Sequence, residues 1–166
     1  MLSKLKEISS ILEGCRTDGT IMDYCLIGGL AVAARGYPRA TADIDFAVRL
    51  NDKNRELFCT KLNFSSRDGD VFDPLRTVYF PRNEEESIQL IQFWPKLEEV
   101  LFNNVSVIEF DSQDLRVIGL TELLLLKFLA GSKKDLHDIE ELISVSTLSD
   151  EETKRLENLK RLFLSQ

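Results

Sequence analysis

Leu2, Leu5, Ile8 and Leu12 recur at helical spacing, with Lys4, Lys6 and Glu7 between them, and predict an amphipathic helix over 3–14 that ends near Gly14 and packs on a sheet. A loop over 15–20 follows, and then the period changes. The apolar run 24–27 stops at the pair Gly28-Gly29, the alanine-rich segment 30–35 suits a helix lying close against a sheet, and a second apolar run carries Asp43 and Asp45 one residue apart. This reads as strand, glycine turn, helix, strand. Asn51 or Asp52 can cap a helix through about Lys61, with Leu57, Phe58 and Leu62 as its apolar positions. The segments 75–80 and 87–93, separated by Pro81 and the acidic run Glu84, Glu85 and Glu86, read as a β-hairpin that supplies the third and fourth strands, the acids being its solvated turn. A helix over 95–103 with Trp94 buried beside it, a strand over 105–110 and a short strand or extended lead over 115–118 come next.

The second informative stretch, 121–143, reads TELLLLKFLAGSKKDLHDIEELI. Thr121 can cap a helix over 122–130 that closes at Gly131. It is apolar nearly all round, which predicts burial. Lys127 is its one cation, and such a lysine either snorkels to the surface or meets an anion, either a bound phosphate or the pair Asp43 and Asp45. Ser132 caps a further helix, whose positive N-terminus suits Asp135 and Asp138 and whose buried face is Leu136, Ile139, Leu142 and Ile143. A capping box over 149–152 opens a last helix with Leu156, Leu159, Leu162 and Phe163. The expected architecture is a single α+β domain over 1–166. It comprises a mixed sheet of about four to six strands in a core over about 20–118, helices packed chiefly on one side of it, and C-terminal helices over about 121–163 that close a cleft.

Composition narrows the function classes. The chain has 166 residues, 43% of them apolar and 30% charged, as soluble globular proteins do. Its 28 acidic and 21 basic residues give a net charge of −7, which argues against an extended nucleic-acid surface. Cys15, Cys25 and Cys59 form no CxxC and His137 is the single histidine, so no zinc set is expected and the thiols read as reduced, cytoplasmic ones. No apolar run reaches the length of a membrane span, and the start of the chain does not read as a signal peptide.

The chemistry centres on Asp43 and Asp45. Residues two apart in a strand share a face, so the two carboxylates project together while Ile44 and Phe46 enter the core. Side by side they repel, and they need a cation, a shared proton or full solvation to persist. A hard divalent ion fits best, because Mg²⁺ takes oxygen ligands from one or two carboxylates together with substrate phosphates. At Gly28-Gly29 the missing Cβ lets backbone N–H groups approach a phosphate. Arg35 and Arg39, on either side of the turn Gly36-Tyr37-Pro38, are either solvated or one of them meets a triphosphate. The plainer alternative is a tight turn followed by a solvated strand edge.

An apolar residue, Gly-Gly, thirteen intervening residues and then Asp-x-Asp in a strand resemble the signature of the DNA polymerase β-type nucleotidyltransferase superfamily. Lys127 on a helix, followed by Lys133-Lys134-Asp135-Leu136-His137-Asp138-Ile139, resembles the downstream motifs of its AbiEii/AbiGii-type branch. The resemblance covers roughly 20–145. It implies metal-dependent transfer of a nucleoside monophosphate from an NTP to an acceptor hydroxyl on RNA or protein. Asp43 and Asp45 would ligate Mg²⁺ or Mn²⁺, Gly28 and Gly29 would contact phosphate, Lys127 would contact the nucleotide, and Asp135 and Asp138 would be pocket residues; Arg39 is the arginine placed with them. It also implies a toxin of abortive-infection or toxin–antitoxin systems, with a cognate antitoxin or regulatory protein as partner. The chain departs from the pattern once. A third carboxylate usually comes from a strand such as 87–93, and Gln89 stands there. Glu109, Asp70 or Asp73 could substitute; otherwise the fold would serve as a nucleotide-binding or protein-interaction module without turnover.

Overall fold

The computed structural model describes residues 1–82 and 87–164. In chain order the elements are α1 (Leu2–Thr17), β1 (Asp23–Ile27), α2 (Gly28–Ala34) and β2 (Ile44–Arg49), then a 3₁₀ turn (Asp52–Asn54), α3 (Arg55–Leu62), β3 (Phe64–Asp68), β4 (Leu75–Pro81) and β5 (Ile88–Phe93). They continue with α4 (Pro95–Phe102), β6 (Ser106–Phe110), β7 (Gln113–Val117), α5 (Leu120–Ala130), α6 (Lys133–Val145) and α7 (Asp150–Leu164). The fold is α+β. The strands form one seven-stranded sheet in the order β3-β4-β5-β2-β1-β7-β6, more strands than the four to six expected. The unforeseen strand is β3, whose sequence FSSRD has no apolar alternation; it forms because its backbone pairs antiparallel with β4 from Phe64↔Pro81 to Asp68↔Thr77.

The centre of the sheet is mixed. β1 runs antiparallel to β2 and parallel to β7, and β2 runs parallel to β5. Strands β2 (IDFAVR) and β5 (IQLIQF) are apolar at four of six positions each. Phe46, Ala47, Val48 and Leu90 are fully buried. The hairpin of β4 and β5 forms as expected, but its acidic run Glu84 to Glu86 lies outside the described residues. Leu5, Ile8 and Leu12 bury α1, and the fully buried Leu123, Leu124 and Leu125 bury α5. No helix among the described residues is long and apolar enough to cross a membrane.

Several local expectations are corrected. Gly119, not Thr121, is the N-cap of α5, and Thr121 is buried as the second residue of the helix. Leu57, Leu136 and Ile143 are about half exposed, because α3 and α6 meet the body along narrower stripes than their sequences suggest. Trp94 is half-buried, its indole N–H donating to the Asp73 carbonyl. Other boundaries hold. Gly131 closes α5 at φ 64°, a left-handed conformation that glycine adopts freely. Ser132 opens α6 in a reciprocal capping box with Asp135, and Ser149 and Glu152 exchange the same pair of hydrogen bonds at α7.

Candidate active site

β1 delivers the chain to Gly28, which has φ +65°. A Cβ there would collide with the Asp45 carboxylate, and a Cβ on Gly29 would meet Arg39 Nη2 and Thr41. The glycine pair is thus required by side chains that lie across it. Asp45 is the second residue of β2 and half-buried; Asp43 sits just before the strand and is exposed. Burial, and then the neighbouring Asp43 carboxylate, push the Asp45 carboxyl up to about 6 against the pull of Lys127, Arg39 and Lys134. The repulsion expected from the sequence is present.

Gln89 occupies the third position. It is the Cα partner of Asp45 across the parallel β2–β5 ladder, with Ile27 as the partner of Asp45 on the other side. The alternative acids lie elsewhere. Glu109 is exposed on β6, the edge strand on the far side of β1 and β7. Asp70 is exposed and caps its own loop by accepting from the Phe72 N–H. Asp73 is exposed at the rim of the cavity that Asp45 lines.

The C-terminal helices bring the remaining residues in. Lys127 Nζ on α5 lies 2.9 Å from Asp135 Oδ1 and 2.8 Å from Asp138 Oδ2, both on α6. Arg39 Nε lies 3.3 Å from Asp138 Oδ1. The Asp138 side chain is 1% exposed and so does not serve the helix N-terminus as expected; it links the two cations instead. Neither of its oxygens accepts a well-aligned hydrogen bond among the described residues, so charge attraction is what holds the group. Burial alone would raise the Asp135 carboxyl, but the hydrogen bonds from Lys127 and Ser132 outweigh it and hold it below the ordinary range. Lys127 does not snorkel. Arg35 faces away, donating to the Ile118 carbonyl and Ser106 Oγ, so Arg39 is the arginine of the site.

A cavity of about 400 Å³ brings together some of these residues, with Arg39, Asp43, Gln89 and Asp138 outside its lining. Gly28, Asp45, Lys127 and Asp135 line its polar end, and Leu75, Ile91, Phe93, Leu123, Leu126 and Leu129 its apolar walls. Sequence reasoning missed Thr41, which packs on Gly29 and accepts from the Asp43 N–H at 3.3 Å. Its signal was a hydroxyl two residues before an acid, a common turn pattern. It also missed the pair of Tyr37 Oη and His137 Nε2, 3.1 Å apart, which with Arg39 and Asp138 fastens the loop after α2 to α6.

No group of three or more His, Cys, Asp or Glu that could hold a metal occurs among the described residues. The half-buried Asp45 and the exposed Asp43 just before it nevertheless suit one hard divalent ion.

Comparison with known structures decides the fold. The solution structure of the antibiotic-resistance factor ANT(2'')-Ia matches with a TM-score of 0.63 at 13% identity, over 99% of this chain and 92% of that one. The chain has the nucleotidyltransferase-like fold. An antigenic nucleotidyltransferase-like protein from Paracoccidioides brasiliensis matches with a TM-score of 0.54 at 20% identity, over 98% of this chain and 90% of that chain. The lincosamide antibiotic adenylyltransferase LnuA, bound to lincomycin, matches with a TM-score of 0.52 at 19% identity, over 85% of this chain and 97% of its own. No family model matches the chain, and no curated protein does. These neighbours show the fold alone and do not single out the AbiEii/AbiGii branch.

Proposed function

We propose that the protein binds an NTP with Mg²⁺ or Mn²⁺ and transfers the nucleoside monophosphate to an acceptor hydroxyl, releasing pyrophosphate. The observation that carries this reading is the single cavity in which Asp45 and the Gly28 turn face Lys127 and Asp135. Asp43 and Asp45 would hold the divalent ion, which offsets phosphate charge and polarises the phosphoryl oxygens. The backbone of Gly28 and Gly29 would lie against the triphosphate. Arg39 and Lys127 bring positive charge to the same end, and the carboxylates that pin them keep them oriented before substrate arrives. Asp135 acts through Lys127 while its other oxygen caps α6. The apolar walls would take the nucleobase or an apolar part of the acceptor.

For the acceptor, the motif order of the AbiEii/AbiGii branch supports RNA or protein and a toxin–antitoxin setting. The antibiotic adenylyltransferases among the neighbours support a small-molecule hydroxyl. The net charge of −7 disfavours a long polyanion. Incubation with each α-³²P-labelled NTP and RNA, protein and aminoglycoside or lincosamide acceptors tests the reading. Label transferred by the wild type and lost in Asp45→Asn supports it.

A second reading has its own observation. Gln89 beside Asp45 removes one acid from the ladder, which favours a nucleotide-binding or protein-interaction module without turnover. Nucleotide affinity with no labelled product from any acceptor class, and none after Gln89→Asp, would favour it.

A further inference from the structure

We infer that this site holds a single divalent ion and that Gln89 is the residue that limits it to one. The inference rests on the nucleotidyl-transfer reading and specifies its metal stoichiometry. Asp45 and Gln89 are directly paired across the parallel ladder, so their side chains rise from one face of the sheet side by side. Asp43 stands two residues before Asp45, at the entry to β2. Three side chains therefore offer oxygen at this place, but only two of them carry charge. The Gln89 amide provides a neutral oxygen and two N–H donors, and it cannot offset a second dication.

Paired ions in phosphoryl-transfer sites stand roughly 4 Å apart and repel strongly, so carboxylates must be shared between them. Among the described residues no other acid is paired with Asp45 in the sheet, its ladder partners being Ile27 and Gln89. Asp135 and Asp138 are engaged by Lys127 and Arg39. Asp73 lines the same cavity but is exposed in the loop before β4, and Glu109 is on the edge strand β6. Lys127 lines the same cavity as Asp45 and Arg39 Nη2 lies against Gly29, so fixed positive charge stands where a second ion would otherwise act. Gln89 thus sets how many ions bind while leaving the nucleotide-associated ion in place.

The test counts bound Mn²⁺ by electron paramagnetic resonance, with saturating α,β-methylene analogues of the four NTPs, in the wild type, Gln89→Asp, Gln89→Ala and the double variant Asp43→Asn, Asp45→Asn. The expected result is one ion per nucleotide complex in the wild type and in Gln89→Ala. Gln89→Asp gains a second ion, whose affinity rises at least about tenfold. The double variant loses the first. Two ions in the wild type, or equal counts in wild type and Gln89→Asp, overturn the inference and leave the nucleotidyl-transfer reading standing. No bound nucleotide or ion in the wild type overturns that reading and the inference with it. The wild-type count decides even where Gln89→Asp, with three acids together, folds poorly without metal.

Discussion

Lys127 Nζ lies 2.8 Å from Asp138 Oδ2 in the interior, and that same carboxylate holds Arg39. One residue of α6 thereby fixes a cation on α5 and another in the loop that leads to Asp43 and Asp45. Removing it leaves Arg39 without its ion pair and Lys127 with Asp135 alone. Asp138→Ala should destabilise the protein by about 3–5 kcal/mol, the usual cost of breaking a buried pair from one side. Urea unfolding measures this; a loss below about 1 kcal/mol contradicts the hub role.

The carboxyl of Asp45 gives stability a pH dependence. Its folded value of about 6 lies above the ordinary 3.8, so the folded state binds the proton more tightly than the unfolded state. The metal-free protein should therefore lose stability as pH rises from about 4 to about 6 and stay at the lower level above that. Asp45→Asn should abolish the fall and gain roughly 1–3 kcal/mol at pH 7. Urea midpoints at several pH values, with chelator present, check the sign. Bound Mg²⁺ or Mn²⁺ works in the opposite direction, since it selects the ionised pair, and its affinity should climb with pH through the same range.

Gly28→Ala and Gly29→Ala separate two effects. At Gly28 a side chain meets both a left-handed backbone and the Asp45 carboxylate; at Gly29 it meets Arg39 and Thr41 with no positive φ. Gly28→Ala should cost about 1–3 kcal/mol and displace Asp45. Gly29→Ala should displace the more flexible Arg39 at a smaller cost. Both should weaken nucleotide binding, which calorimetry on the folded variants reads directly.

The sequence made the site legible where its parts are local. Gly28-Gly29, Asp43 and Asp45 lie within one strand–helix–strand unit that spacing brings together; Lys127, Asp135 and Asp138 lie within one helix pair, where spacing gives a cap and a buried face and the motif resemblance joins them to the site. That Gln89 stands where a third acid is expected comes from the resemblance, and the structure supplies the register that pairs it with Asp45. The part that stayed hidden depends on distant packing. Nothing near Asp138 in sequence shows that Arg39 will reach it, and nothing in FSSRD shows that a neighbouring strand will recruit it as β3. The exposure of Leu136 and Ile143 likewise reflects where α6 meets the body, which helical periodicity cannot supply.

The central claim is that Asp43 and Asp45 bind an NTP through a divalent ion. Calorimetric titration with each of the four NTPs, with and without Mg²⁺, of the wild type and an Asp43→Ala, Asp45→Ala double variant tests it most directly. The predicted result is saturable, Mg²⁺-dependent binding of at least one NTP that disappears in the double variant. Absence of binding for every NTP, or binding that is unchanged in the double variant, would contradict it.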